Sequence, residues 1–206
     1  MSHSLEPLAT CFDISRLRPT QMTVGYREVE RKREEWRERV PKDGPEFLGR
    51  HMVPVIKGPG DHLHLIDHHH LVLALHLENV DQVLVNVVAD LSHLQREEFW
   101  IFMANRNWLH LYDGAGRPRD RAKLPKDVGH MADDPFRSVA GEIRRMGGCA
   151  KEDTPYSEFL WADFLRRRIP LKRVENHWNR AAKQALELAR SSAAKHLPGW
   201  AGPSSD

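Results

Sequence analysis

The sequence predicts an α+β fold: a small mixed-sheet core followed by a helical C-terminal half. Three observations carry this. Apolar runs at 52–56, 62–66 and 82–88 have strand character, with too little helix between them for repeated βαβ units. From about His130 onward the apolar residues recur only at helical spacing. The 206 residues are 40% hydrophobic and include six Trp, seven Phe and three Tyr, enough for one compact domain with a helical appendage. The expected boundaries are 12–115 for the core and 130–196 for a helical region packed on it. Residues 1–11 and 197–206 are expected to be flexible ends.

Taken in order, Phe12 to Leu17 reads as a short strand, stopped by Pro19. Thr20 or Thr23 caps a helix from about Val24 to Val40. Val29, Trp36 and Val40 share its inner face, and EVERKREEWRER forms a salt-bridged outer face. Pro41 to Pro45 is a turn. Met52–Ile56 is a strand, Gly58-Pro59-Gly60 a turn, and His62–Ile66 a second strand. In that second strand His62 and His64 lie on one face, Leu63 and Leu65 on the other. A short helix follows His70 and ends near Asn79. Gln82–Val88 is a third strand, Gln95–Ala104 a helix, and Trp108–Tyr112 a strand.

The C-terminal half opens with Asp134-Pro135, an N-cap and first-turn pair for a helix to Met146 that Gly147-Gly148 stops. Thr154-Pro155 starts another, through Arg168, with Leu160, Trp161, Phe164 and Leu165 inward. Pro170 breaks it. A last helix runs from about Leu171 to Ala194, with Trp178, Ala181, Ala182, Ala185, Leu188 and Ala189 as its stripe.

Charge and composition exclude several classes. Basic residues number 31 and acidic residues 29, a net charge of +2, so nucleic acid is an open partner that net charge does not indicate. Cys11 and Cys149 are too few for a disulfide framework and lack metal-ligand spacing. No segment approaches the ~18 apolar residues of a membrane helix, and the first residues lack a secretory pattern. A cytoplasmic protein with no membrane partner is expected. The chain has 13 His, and five of them (His62, His64, His68, His69 and His70) fall close together.

HLHLIDHHHLVLAL is therefore the strongest chemical signal: a strand, a sharp polar turn, then a helix. Such a junction aims backbone N–H groups and the positive helix end at one point, which suits a phosphate. Asp67 sits at the strand end, and His68, His69 and His70 occupy the turn and the first helical residues. Histidine donates to phosphate oxygens, shuttles protons or ligates metals. The plain alternative makes Asp67 an N-cap, with one histidine in the core and two solvated.

LRPTQMTVGYREVERK, followed by VPVIKGPGDHLHLIDHHHLVLAL, resembles the ParB-like/sulfiredoxin superfamily, in the branch labelled ParB-like nuclease. ADDPFRSVAGEIR and PYSEFLWADFLRRRIP resemble the C-terminal half of that branch, so the likeness runs from about Asp13 to Arg168. The resemblance implies a ParB/sulfiredoxin-like core and a nucleotide phosphate loop at Ile66–His70. Free-serine kinases of the same fold carry Asp-Gly-His-His-Arg there, and Asp67, His69 and His70 match its Asp and two His. His68 replaces the motif Gly, and Leu71 replaces the motif Arg. The loop has no Cys, which argues against sulfiredoxin chemistry.

The fold also implies that the segment after the first strand lies over this loop. Arg18 then supplies the missing cation, with Gln21 and Glu28 as a polar contact or base. Lys57, after a strand, and Arg137, one turn into its helix, are further phosphate-binding candidates. Asp133 and Asp134 are candidate Mg²⁺ ligands. His62 and His64 could join His68 or Asp67 around a transition metal. Arg166, Arg167, Arg168, Lys172 and Arg173 form a basic run that reads best as a solvated face.

The expected function is binding of a phosphate group, of a nucleotide (ATP or ADP, with Mg²⁺) or of a phosphorylated small molecule, at Asp67–His70. Two chemistries are open. In phosphotransfer Asp67 or Glu28 is the base, while His69, His70 and Arg18 hold phosphates. In metal-dependent phosphodiester hydrolysis Asp67 and the histidines hold a divalent ion. The alternative is a non-catalytic nucleotide-binding or scaffold protein.

Overall fold

The computed structural model describes residues 10–43 and 46–203. Of the flexible ends expected at 1–11 and 197–206, residues 1–9 and 204–206 lie outside the described residues, as do Gly44-Pro45 of the expected turn. The fold is α+β, about half helical, with a mixed five-stranded sheet. The described chain divides into two compact units. The first comprises residues up to Met22, then Val29–Tyr112 and Pro118–Ala132; the second comprises Thr23–Glu28, Asp113–Arg117 and the chain from Asp133 onward.

In the first unit β1 (Thr10–Asp13) and β2 (Arg18–Pro19) precede the long helix α1 (Tyr26–Asp43) and the short α2 (Glu46–Arg50). Between them, β3 (Thr23–Val24) belongs to the second unit. Then come β4 (Val53–Lys57), β5 (Leu63–Leu65), α3 (His69–Leu77), β6 (Gln82–Asp90) and α4 (Arg96–Asn105). The sheet order is β1-β6-β4-β5-β2. A short turn joins β4 to β5, so they pair antiparallel, with Val55 opposite Leu65. Beyond β4, β6 runs parallel to it, and β1 closes that edge antiparallel to β6. On the other edge β2 runs parallel to β5, Arg18 beside His64 and Pro19 beside Leu65.

The strand β5 is buried on both faces, Leu63, His64 and Leu65 alike. Of the two histidines expected on one face of this strand, His64 is buried and His62, just before the strand, is exposed. Helix α4 is the reason. Its Phe99 and Trp100 rings lie 4.8 and 5.1 Å from the His64 ring, centroid to centroid. A Cβ at Gly58 would come within 2.8 Å of Phe99, so only glycine admits this approach. Helix α3 buries five consecutive residues, Leu71 to Leu75, as a helix covered all round must. Its end is held by Glu78, which accepts from Arg33 and Arg37 of α1 at 2.6 Å each. These guanidinium bonds hold the Glu78 carboxyl down at about 2.

The expected strand at Trp108–Tyr112 does not form. His110 donates to Thr20 O, Leu111 accepts from Arg119, and only isolated bridges result. The segment is shared between two neighbours, one bond to each, which is too little for a ladder. Thr20 and Thr23 cap nothing, since α1 starts at Tyr26.

After β7 (Ala132–Asp133) the second unit carries α5 (Pro135–Arg145), α6 (Ser157–Arg166), α7 (Leu171–Asn176) and α8 (Trp178–Arg190). Asp134 caps α5 by accepting from Phe136 N–H at 3.0 Å, as the Asp-Pro pair foretold. The single helix expected from Leu171 to Ala194 is two, broken at His177 (φ −140°, ψ 55°). Asn and His are weak helix formers, and the break falls on them. The alanine stripe of α8 is buried as expected and lets the helix lie close on α5. The tail is not loose where it is described: Trp161 Nε1 donates to Pro198 O and Trp200 Nε1 to Ser191 O, which ties 198–200 down. Among the described residues no helix is long and apolar enough to cross a membrane.

Candidate functional site

The candidate site forms where β5 ends. Asp67 is exposed, and its Oδ1 accepts from the next residue's N–H, that of His68, at 2.6 Å. It is not the N-cap of α3. That position is His68, whose side chain caps nothing and whose backbone is left-handed, φ 63° and ψ 22°. A left-handed non-glycine residue costs roughly 1–2 kcal/mol, and histidine is among the residue types enriched there. His68 therefore takes up a conformation that glycine adopts without strain.

His69, 5% exposed, opens α3. Its Nε2 faces the N–H of Thr20 across 3.4 Å. Thr20 also donates its hydroxyl to Leu65 O at 2.6 Å. The Arg18–Gln21 segment thus lies along β5 and meets the turn, but through Thr20, which the sequence suggested only as a helix cap. The available signal was its place inside the Arg-Pro-Thr-Gln block. His70 is half-buried in the first turn of α3.

The remaining predicted residues have separate places. Arg18 is exposed opposite His64 on the sheet edge. Gln21 is buried and bridged to His110. Lys57 is held by Asp61 at 2.8 Å and Asp90 at 3.5 Å; the Asp61 bond raises its pKa. Glu28, Arg137, Asp133 and Asp134 belong to the second unit. There Glu28 is buried and paired with Arg145 at 2.6 Å. Arg137, also buried, donates to Thr23 O at 2.7 Å and lies over the Phe159 ring at 3.9 Å.

Asp133 accepts from Tyr26 N–H at 2.8 Å, and desolvation pushes its carboxyl up. Asp134 gives one oxygen to Phe136 N–H and the other to Arg166 at 2.7 Å. Asp134 thus has both oxygens engaged, which leaves Asp133 as the exposed carboxylate of the pair. The basic run is dispersed as well: Arg166 is spent on Asp134 and Asp163, and Arg168 lies over Phe164.

His64 is 4% exposed, and its Nδ1 has no hydrogen-bond partner. Burial, then the charges of Arg18 and His62, push it down to about 3, so it is neutral. Partial burial, then Arg18, lowers His62 as well. Among the described residues no group of three or more His, Cys, Asp or Glu is arranged to hold a metal ion.

Comparison with known proteins adds the lineage. The family model described as Putative ParB-like nuclease matches residues 10–167. The crystal structure of protein Atu1540 from Agrobacterium tumefaciens is 50% identical in sequence, with a TM-score of 0.91. The match covers 97% of this chain and 100% of that one. No curated protein matches the chain.

Proposed function

The chain belongs to the family described as Putative ParB-like nuclease, and from that premise we propose that its Asp67–His70 turn binds a phosphate group, that of a nucleotide such as ATP or ADP. One observation carries this reading. The left-handed backbone at His68 turns the chain sharply from β5 into α3 and brings three consecutive histidines to the N-terminal end of that helix. A helix N-terminus favours an anion, and imidazole N–H groups add directed donors.

On this reading His69 and His70 hold phosphate oxygens and Asp67 acts as the base. Asp67 is the exposed carboxylate beside the turn, whereas Glu28 is committed to Arg145. Asp67 takes the proton from the attacking oxygen as that oxygen bonds to phosphorus and the leaving oxygen departs with the P–O electron pair. With a small-molecule hydroxyl as attacker this is phosphotransfer; with water as attacker and a phosphodiester as substrate it is the cleavage that the word nuclease in the family description denotes. Calorimetric titration with ATP and ADP, with and without Mg²⁺, tests the site. The double variant His69→Ala/His70→Ala is expected to bind on the order of 10- to 100-fold more weakly. Equal affinity in the double variant, or no nucleotide binding by the native protein, would remove the turn from the site.

A further inference from the structure

A basic cleft in the first unit is not accounted for by the turn. Two cavities of about 250 and 350 Å³ share Arg18, His64, Arg96 and Trp100 in their walls. The smaller also touches Lys126 and Arg121, and the larger reaches Gly60 and His62. The size is that of a small-molecule pocket.

Several arginines of the chain sit on carboxylates, Arg33 and Arg37 on Glu78, Arg145 on Glu28 and Arg166 on Asp134, while Arg27, Arg106 and Arg168 lie over aromatic rings. Arg18, Arg96 and Lys126 have no such partner among the described residues. Asp120, the acid in the wall, is turned onto Ala122 N–H at 2.7 Å. Arg121 is answered by Glu97 at 2.8 Å and lies over the Trp100 ring at 5.3 Å. Three cations at one cleft with no ion pair of their own repel one another, and an anionic ligand relieves that repulsion.

The floor is polar as well as aromatic. His64 lies against Trp100 with a buried Nδ1 that no group among the described residues satisfies. A buried nitrogen without a partner is costly, and ligand sites are where such groups are kept. Burial first, and the Arg18 charge second, lower the pKa of both His62 and His64.

We propose that this cleft is a second anion site, which takes a phosphate ester of nucleotide size. Arg18, Arg96 and Lys126 meet its phosphate charge, and its organic part rests against Trp100 and His64. A nucleic-acid strand fits less well, because the space is pocket-sized and the chain carries a net charge of only +2. This proposal does not depend on the turn.

The test uses the full chain, with inorganic pyrophosphate and 5′-AMP as probes, followed by calorimetry and tryptophan fluorescence. The native protein and His69→Ala/His70→Ala are expected to bind both probes. Placed in the His69→Ala/His70→Ala background, which removes the turn's own contribution, Arg18→Gln/Arg96→Gln, two exposed positions, is expected to weaken the remaining binding at least ~10-fold with unchanged circular dichroism. Three results would overturn the proposal: no saturable binding of either probe, equal binding in the histidine background with and without the arginine changes, or loss of all binding in the histidine variant alone. A single-stranded oligonucleotide bound through Arg18 and Arg96 while both small probes fail would also overturn it, in favour of a strand.

Discussion

Thr20 holds His69 from the side: its N–H faces His69 Nε2 across 3.4 Å while its hydroxyl donates to Leu65 O at 2.6 Å. The amide contact is long, so its effect is orientation. It makes Nε2 the acceptor and leaves the ring proton of a neutral His69 on Nδ1. Thr20→Val keeps the shape and deletes the hydroxyl, so the buried Leu65 carbonyl loses this donor. Urea unfolding is expected to show a loss of about 1–2 kcal/mol. Phosphate affinity should weaken with it, because the edge segment no longer fixes the imidazole. Native stability in this variant would mean that the hydroxyl does not hold the segment.

His68 offers a test of backbone against side chain. At φ 63° its Cβ is strained, and glycine relieves that strain of roughly 1–2 kcal/mol. Glycine gives back up to ~1 kcal/mol through a freer unfolded chain. His68→Gly should therefore unfold at the same temperature as the native protein or slightly higher, and His68→Val should melt lower. Phosphate affinity in the glycine variant then reports the imidazole alone. A glycine variant that melts well below the native protein would show that the His68 side chain, not its backbone, holds the turn.

What was legible in the sequence was what is local. The strand, polar turn and helix of residues 62–77 are written in consecutive residues, and so is the Asp134-Pro135 helix start. What was not legible depends on distant partners. Strand alternation puts His64 on the face of His62, but does not reveal that Phe99 and Trp100 arrive from α4 to cover it. Glu28 read as a base because nothing near it in the chain marks Arg145, 117 residues away, as its partner. Arg18 read as a cation for the Asp67–His70 loop, and its pairing beside His64 was hidden because a two-residue strand has no sequence signature.

Asp67→Asn separates structure from chemistry. The amide oxygen of Asn can still accept from His68 N–H, so stability should change by no more than about 0.5 kcal/mol, as for an exposed site. A base is lost, however, and turnover on whichever phosphate substrate proves active should fall by ~10²-fold or more. Melting temperature and rate must be measured on the same sample. Unchanged turnover would leave Asp67 with the turn alone.

Glu28 is expected to behave in the opposite way. Glu28→Gln leaves Arg145 facing a neutral group in a buried setting, and a loss of about 1–3 kcal/mol should appear in chemical denaturation. Gly141→Ala should act on the same contact, since a Cβ there would stand 2.7 Å from the Glu28 carboxyl carbon. Neither change should alter nucleotide affinity per folded molecule. A stable Glu28→Gln protein with abolished turnover would restore Glu28 as the base.

His64 sets the last expectation, through pH. Its folded pKa of about 3 lies below its ordinary 6.5 because burial comes first and the Arg18 charge second. A depressed histidine makes no demand above pH 6.5, where it is neutral folded and unfolded. As pH falls below that, the unfolded chain takes up a proton that the folded chain refuses, and stability drops by up to ~1.4 kcal/mol per pH unit until about pH 3. His64→Leu removes the titration and suits the apolar contacts of Phe99 and Trp100. Carboxylates titrate in both proteins and cancel in the comparison. Between pH 7 and pH 5 the leucine variant should therefore gain about 2 kcal/mol on the native protein in urea unfolding. Parallel stability curves would mean that His64 accepts its proton in the folded state, and that the cleft floor is wetter than its burial implies.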